Sequence, residues 1–258
     1  MKLSVVVPAY NEQDRIKPML DAYLAYFVPK YGSEVEIVVV VNGSRDRTEE
    51  VVRDYAKTRP QVRTIVEPRA IGKGGAVLLG FEAACGDLIG FADADGSTPP
   101  ESFQDLADRI GDAGCVISSR YLPGSVVSPR QSAARLVASR IFNTMVRVLF
   151  ALDIHDTQCG AKLMKKEAVK KVLPVIGVTR WAFDVDLLFQ LRRAGYRIIE
   201  APTIWHDVGG SRLKIVRSSL EMAIALCRLR ILYSPFRWIV TIYDKTIGRF
   251  VHSGGIRG

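Results

Sequence analysis

The run Phe91-Ala92-Asp93-Ala94-Asp95-Gly96-Ser97 places two carboxylates one residue apart, directly after the apolar stretch Leu88 to Phe91. A buried strand should end there, and the turn that follows needs only one Asp and a Gly. Paired hard oxygens at such a point suit a divalent cation, Mg²⁺ or Mn²⁺, which commonly bridges to substrate phosphates. Asp93 and Asp95 are therefore candidate metal ligands, and Ser97 is close enough to add an oxygen or a water contact. A solvated turn with a helix cap at Ser97 or Thr98 uses the same residue types, so the pair alone decides nothing.

Gly72-Lys73-Gly74-Gly75-Ala76 opens the next helical pattern upstream. Glycine-rich backbone and a lysine at a helix start favour an anion, although the spacing is not that of a Walker loop. A cation site and an anion-friendly helix start on one sheet edge together indicate a diphosphate. A third feature is the stretch between Asp112 and Asp153. It holds five arginines (Arg120, Arg130, Arg135, Arg140 and Arg147) and neither an acid nor a lysine. Guanidinium groups match phosphate bidentately, so an arginine-only cluster fits phosphate recognition. The competing reading is an amphipathic face whose arginines cover apolar surface. Asp184 and Asp186 in RWAFDVDLL form a second acidic pair. As candidate general bases they would serve a hydroxyl nucleophile. A phosphate nucleophile, already ionised near neutral pH with a second pKa of about 6, would need positioning rather than deprotonation, and the pair would then support the loop and helix around Trp181.

These residues require a scaffold that gathers loops at one edge. Leu3 to Val7, Glu36 to Val41, Val62 to Glu67 and Leu88 to Phe91 read as strands that are apolar throughout. Helical patterns separate them at Asp14 to Phe27, Thr48 to Lys57 and Gly74 to Ala84, with Ser44 or Asp46 as a cap for the second. Alternation of this kind predicts an α/β fold with a doubly wound, mostly parallel sheet flanked by helices, whose ligands sit beyond the strands' carboxyl ends. Farther on come a strand at Cys115 to Ser118, an arginine-bearing helix over about Ser132 to Leu152, and a loop carrying HDTQCGAK. A helix at Phe183 to Ala194 and a short strand at Arg197 to Glu200 follow.

With 258 residues the chain can bury a full core, and its 48% hydrophobic and 24% charged content excludes disorder. The four cysteines show no CxxC pair, which points to reduced thiols. The formal charge of +9 is concentrated late: Ser211 to Gly258 holds nine Lys/Arg against two acids. The expected organisation is a catalytic domain over 1–216 and a basic amphipathic helical tail over 217–258, broken at Ser234-Pro235. The tail is too charged to span a bilayer but suits an interface over anionic lipid, and it has no recognised nucleic-acid-binding motif. The N-terminus does not read as a signal peptide, so the expected place is peripheral, on the cytoplasmic face of a membrane.

In order along the chain stand PAYNE, GKGGA, ADADG, Ser119-Arg120-Tyr121, DTQCGAKL, RWAFDVDLL and GSRLK. Together they resemble family 2 glycosyltransferases of the GT-A fold, and within them the dolichyl-phosphate β-glucosyltransferases, from about Lys2 to Leu232. The resemblance implies inverting transfer of a hexose, glucose, from a nucleotide-sugar such as UDP-glucose to a polyprenyl (dolichyl) phosphate. It implies that Pro8, Ala9, Tyr10 and Glu12 line the nucleoside pocket. Asp93 and Ala94 would lie along the ribose and phosphates, and Asp95 would hold the metal. Lys73, Arg212 and Lys214 would be cationic partners of the phosphates, and Arg120, Ser139 and Arg140 would hold the acceptor phosphate. One departure stands out: the family's Asp-Asp-Gly-Ser is here Val41-Asn42-Gly43-Ser44. Asn42 can donate as well as accept, which leaves UDP and GDP, and hence a mannosyltransferase, open. The rivals are a transferase to a hydroxyl acceptor and a non-catalytic nucleotide-sugar-binding scaffold.

Overall fold

A computed structural model of the chain describes residues 1–129, 132–177, 182–206, 215–238 and 242. The first half alternates as its apolar runs require. β1 (Leu3–Ala9), β2 (Val35–Asn42), β3 (Val62–Glu67) and β4 (Leu88–Ala92) are separated by α1 (Ile16–Tyr31), α2 (Thr48–Ala56) and α3 (Gly72–Ala83). α4 (Pro100–Arg109), β5 (Cys115–Ser119), β6 (Val126–Ser128), α5 (Ala133–Phe150), β7 (Ala161–Lys165) and α6 (Lys166–Val172) follow. α7 (Phe183–Arg193), β8 (Ile198–Pro202), β9 (Ile204–His206) and α8 (Ile215–Leu232) complete the described elements. Seven strands form one sheet in the order β3-β2-β1-β4-β7-β5-β8, while β6 and β9 pair separately. β1 to β4 run parallel, as does β5 with β8.

Successive strand residues point to opposite faces, so a strand apolar throughout must be covered on both sides. Val5, Val7, Ile37, Val39 and Leu163 pack under α1, α2 and α4 with Tyr23, Phe27 and Phe103. Val6, Val38, Val40, Phe91 and Ile117 pack under α3, α5 and α7 with Val77, Phe142 and Phe183. Leu226 and Leu229 of α8 are fully buried on this second face, so the first helix of the tail is seated on the core. Among the described residues no helix is long and apolar enough to cross a membrane.

Two expectations are corrected, and a choice left open is decided. The HDTQCGAK segment is not all loop: Ala161–Lys165 is a strand wedged antiparallel between β4 and β5. Its lysines break the apolar pattern, yet Lys162 is fully buried because it is paired. The helix expected from Asp14 begins at Ile16, whose amide, like that of Arg15, bonds to the Glu12 carbonyl. α2 is preceded by Asp46, whose carboxylate accepts from the Thr48 amide at 3.0 Å, so Asp46 rather than Ser44 serves its start.

The opposite, amino-terminal edge is held by one buried acid. Glu36 is 3% exposed and accepts from Ser4 Oγ (2.6 Å), Cys85 N (2.7 Å) and Arg63 Nη1 (2.7 Å). Burial pushes its carboxyl up, but the bonds from Ser4, Cys85 and Arg63 outweigh that and hold it below the ordinary value. A depressed carboxylate stabilises the fold above its unfolded pKa, and the contribution is lost as pH falls through the folded value. Glu36→Gln should therefore lose about 2 kcal/mol at pH 7. In urea melts the gap from the parent chain should close below roughly pH 4.

Candidate functional site

The carboxyl ends of β1, β2 and β4 meet at one edge. Tyr10 and Glu12 follow Pro8-Ala9 at the end of β1, and this loop is stitched to the one after β2. Asn11 N donates to Ser44 Oγ (3.1 Å), Glu12 N to Thr48 Oγ1 (2.7 Å), and Arg45 N to Asn11 Oδ1 (2.8 Å). Asn42 is buried between them and donates its Nδ2 to the Ala9 carbonyl at 3.2 Å. Tyr10 is 47% exposed, an aromatic face left open beside a rigid double loop. Burial pushes the Glu12 carboxyl up, Asp95 and Asp93 add to this, and Arg15, 2.7 Å away, offsets only part.

Asp93 and Asp95 stand half-buried beyond β4, with Ala94 between them buried. Asp95 Oδ1 accepts the Ser97 amide at 2.9 Å, and the turn continues through Gly96 at φ 74°. Ser97 is buried, and its carbonyl accepts the His206 amide at 2.8 Å, so β9 is tied to this turn. Lys73, in the first turn of α3, lies 2.6 Å from Asp93 Oδ1. The other oxygen of Asp93 rests on Gly160, where a Cβ would stand 2.1 Å from Oδ2. Burial raises the Asp93 pKa, the neighbouring Asp95 and Asp184 raise it further, and Lys73 works against them. Lys73 loses to burial but gains more from Asp93 and Asp184, so its ammonium is held above the usual range.

On the far side of β7, Arg120 follows β5. Its guanidinium grips Asp156 through Nε (2.8 Å) and Nη2 (2.9 Å), and its amide bonds the same carboxylate at 3.0 Å. Asp156 is fully buried; burial alone would raise its pKa, but Arg120 overrides this and keeps it low. Arg120 also lies against Trp205 (5.2 Å) and Tyr121 (5.6 Å). Arg135 approaches the Trp205 ring at 5.9 Å, and Arg140 covers Tyr121 at 4.1 Å. Tyr121 Oη donates to Ser139 Oγ at 2.6 Å. Ser139, Arg140 and Arg120 are thus brought together through Tyr121, a residue the sequence reading quoted but gave no role.

Asp184 and Asp186 are turned inward. Asp184 accepts from the buried Lys162 at 2.6 Å. Asp186, fully buried, accepts from Gly177 N (3.0 Å) and from Tyr233 Oη of the tail (2.6 Å). A general base must reach the proton it abstracts; these two carboxylates instead hold α7, β7 and the tail in place. Arg212, Lys214 and Trp181 lie outside the described residues. Among the described residues no three His, Cys, Asp or Glu gather into a complete metal cage. Two carboxylates beside a lysine instead fit an ion that takes its remaining oxygens from phosphate and water. Asp156, Gly160 and Lys162 stand in the DTQCGAKL motif without an individual role in the sequence reading, and Trp205 had none either. The signal within that motif is a lysine and an acid inside a small-residue run, where a solvated charge has no place.

The family model described as Glycosyl transferase family 2 matches residues 4–173. The dolichyl-phosphate beta-glucosyltransferase ALG5C of Trichomonas vaginalis is 36% identical over 251 residues, 93% of this chain and 73% of that protein. The human dolichyl-phosphate beta-glucosyltransferase is 33% identical over 253 residues, 92% of this chain and 77% of that protein. Among solved structures, glucosyl-3-phosphoglycerate synthase from Mycobacterium tuberculosis, with Mn²⁺, uridine diphosphate and glucosyl-3-phosphoglycerate, superposes with a TM-score of 0.67. It is 19% identical and covers 89% of this chain and 79% of that one, a likeness of fold. The sheet order, the acidic turn beyond β4 and these matches along nearly the whole chain place it in glycosyl transferase family 2, as a glycosyltransferase with the GT-A fold.

Proposed function

We propose that this enzyme transfers glucose, with inversion, from UDP-glucose to dolichyl or another polyprenyl phosphate at a membrane surface. The observation that carries the reading is the pairing of two charge patterns on one edge. Asp93, Asp95 and Lys73 suit a metal-bound diphosphate, and the Tyr121–Ser139–Arg140 cluster beside Arg120 suits an acceptor phosphate. The relatives named above support the same acceptor and sugar. Each step falls to groups of this chain. Asn42 gives one of its two Nδ2 hydrogens to Ala9, and its Oδ1 can accept from a base. An accepting oxygen there has the polarity of the family's aspartate and fits a base N–H, that of uracil or of guanine, so the choice of UDP rests on the relatives' glucose. Asp95, with Asp93, would hold Mg²⁺ or Mn²⁺, which neutralises charge on a departing diphosphate.

On the acceptor side, an ionised phosphate oxygen attacks the anomeric carbon as its bond to the diphosphate breaks, so one displacement inverts the centre. No proton has to be removed from the nucleophile, in keeping with Asp184 and Asp186 facing inward. Arg120, tied into Asp156, acts as a fixed wall, whereas Arg140 on the exposed side of α5 reaches toward the phosphate. Membrane contact is supported by an exposed apolar stripe. Val137, Ile141 and Val148 of α5 recur at helical spacing, and Leu220 and Ile224 of α8 and Trp238 beyond it are also exposed. Arginines flank these positions, as on a helix lying over anionic lipid. The reading divides the chain into a catalytic domain over 1–216 and a basic tail over 217–258. The tail's first helix, α8, packs on the core by Leu226 and Leu229 and leaves Leu220 and Ile224 exposed; the tail beyond 238, except 242, lies outside the described residues.

Asp95→Ala should cut glucose transfer by about a thousandfold while melting within a few degrees of the parent; wild-type turnover would end the assignment. Arg140→Ala should raise the KM for dolichyl phosphate at least about tenfold and leave that for UDP-glucose within twofold. In a thermal-shift panel of UDP-, GDP- and dTDP-sugars, UDP-glucose with Mn²⁺ should raise the melting temperature most. A larger shift with a GDP-sugar would transfer the donor assignment to guanine.

A further inference from the structure

Lys162 is a lysine with no exposed surface, in a strand whose neighbours β4 and β5 are apolar. Taking an ammonium out of water is expensive, and an apolar pair of similar size is as good or better for stability. A charge kept in such a place calls for a reason beyond folding, and its surroundings supply one. Lys162 Nζ donates to the Cys159 carbonyl at 2.9 Å and to Asp184 Oδ1 at 2.6 Å. The Cys159 carbonyl belongs to the peptide that leads into Gly160, and Gly160 is the surface on which Asp93 rests. A single buried cation therefore fixes the backbone beneath the first carboxylate of the pair.

A second line of contacts leads to the same corner. Lys162 is the register partner of Phe91, and the ammonium groups of Lys162 and Lys73 each lie 5.2 Å from the centre of that ring. The starts of α3 and α7 touch where Gly74 meets Phe183, since a Cβ on Gly74 would come 2.5 Å from the Phe183 ring. This close approach puts Lys73, next to Gly74, near Asp184, next to Phe183. The charges alternate along the line Asp93, Lys73, Asp184, Lys162, and the two ion pairs at its ends are both 2.6 Å long.

Resting on the donor reading above, we propose that Lys162 is a positioning residue for the donor site. By clamping the Cys159–Gly160 peptide against Asp184, it sets where Asp93 meets the nucleotide-sugar and its cation. It touches neither substrate directly. Its loss should weaken donor binding through Asp93 and leave the acceptor side, built from Tyr121, Ser139 and Arg140, as it was.

The test uses the full chain with UDP-glucose and Mn²⁺ as probes. Lys162→Met alone would strand Asp184 without its cation, so the main variant is Lys162→Met/Asp184→Asn, which removes both charges at nearly constant volume. By calorimetry its Kd for UDP-glucose with Mn²⁺ should rise at least tenfold, the KM for UDP-glucose should rise in step, and the KM for dolichyl phosphate should stay within twofold. Gly160→Ala, which places a methyl where the Asp93 carboxylate lies, should reproduce that split. A double variant that binds the donor within twofold of the parent overturns the proposal, as does an equal rise in both KM values. Should the double variant not fold, Gly160→Ala alone carries the test, and donor binding within twofold of the parent in that variant overturns the proposal. Failure of the parent chain to bind UDP-glucose with Mn²⁺ would instead sink the donor reading, and this inference with it.

Discussion

Three carboxylates, Asp93, Asp95 and Asp184, crowd the carboxyl edge of a parallel sheet, and their mutual repulsion is the condition that the neighbouring structure has to meet. It is met by two ammonium groups delivered from different elements, Lys73 from α3 and Lys162 from β7. Each needs a close approach that a side chain would block: Gly74 lets α3 lie against Phe183, and Gly160 lets the β7 segment lie against Asp93. Negative charge with partly neutralised neighbours is the state a divalent ion and a diphosphate can both enter. A bare acidic cluster would repel the diphosphate, and a fully neutralised one would not hold the ion.

The other half of the site is built on a different principle. Arg120 is fastened by three hydrogen bonds to an acid that water never reaches, and its flat guanidinium then supports Trp205 and Tyr121. Those rings in turn carry Arg135 and Arg140. On the acceptor reading proposed above, this wall of aromatic faces and cations would be preorganised for a phosphate and would ask for no proton transfer. Asp184 and Asp186 are bonded instead to Lys162, Gly177 and Tyr233.

The helix that carries Arg140 also carries the exposed apolar stripe, and α8 packs beside it with Leu226 and Leu229 in the core. Arg140 and the exposed apolar surface thus share one helix rather than being joined by a linker. On the proposed reading, that shared placement would bring a lipid's phosphate headgroup and the site to one height.

The strand runs, their parallel pairing and the acidic turn after Phe91 were legible in the sequence, because each is a local pattern: apolar continuity, helical spacing, two acids at a strand end. So were the arginine-only stretch and the family motifs. β7 was not legible, because a strand bearing lysines at both faces looks polar until a partner 22 residues away is brought beside it. Nor could the sequence assign Arg120 to Asp156, or tell that Asp186 meets Tyr233. Such pairs are formed by side chains far apart along the chain, and only the packing of β5, β7, α7 and α8 sets their distance. Residue types and order along the chain determined the family and the chemistry on offer. Which carboxylates remain open to a ligand, and which are shut inside by a buried cation, was decided by tertiary structure, since burial and pairing are properties of neighbours in space.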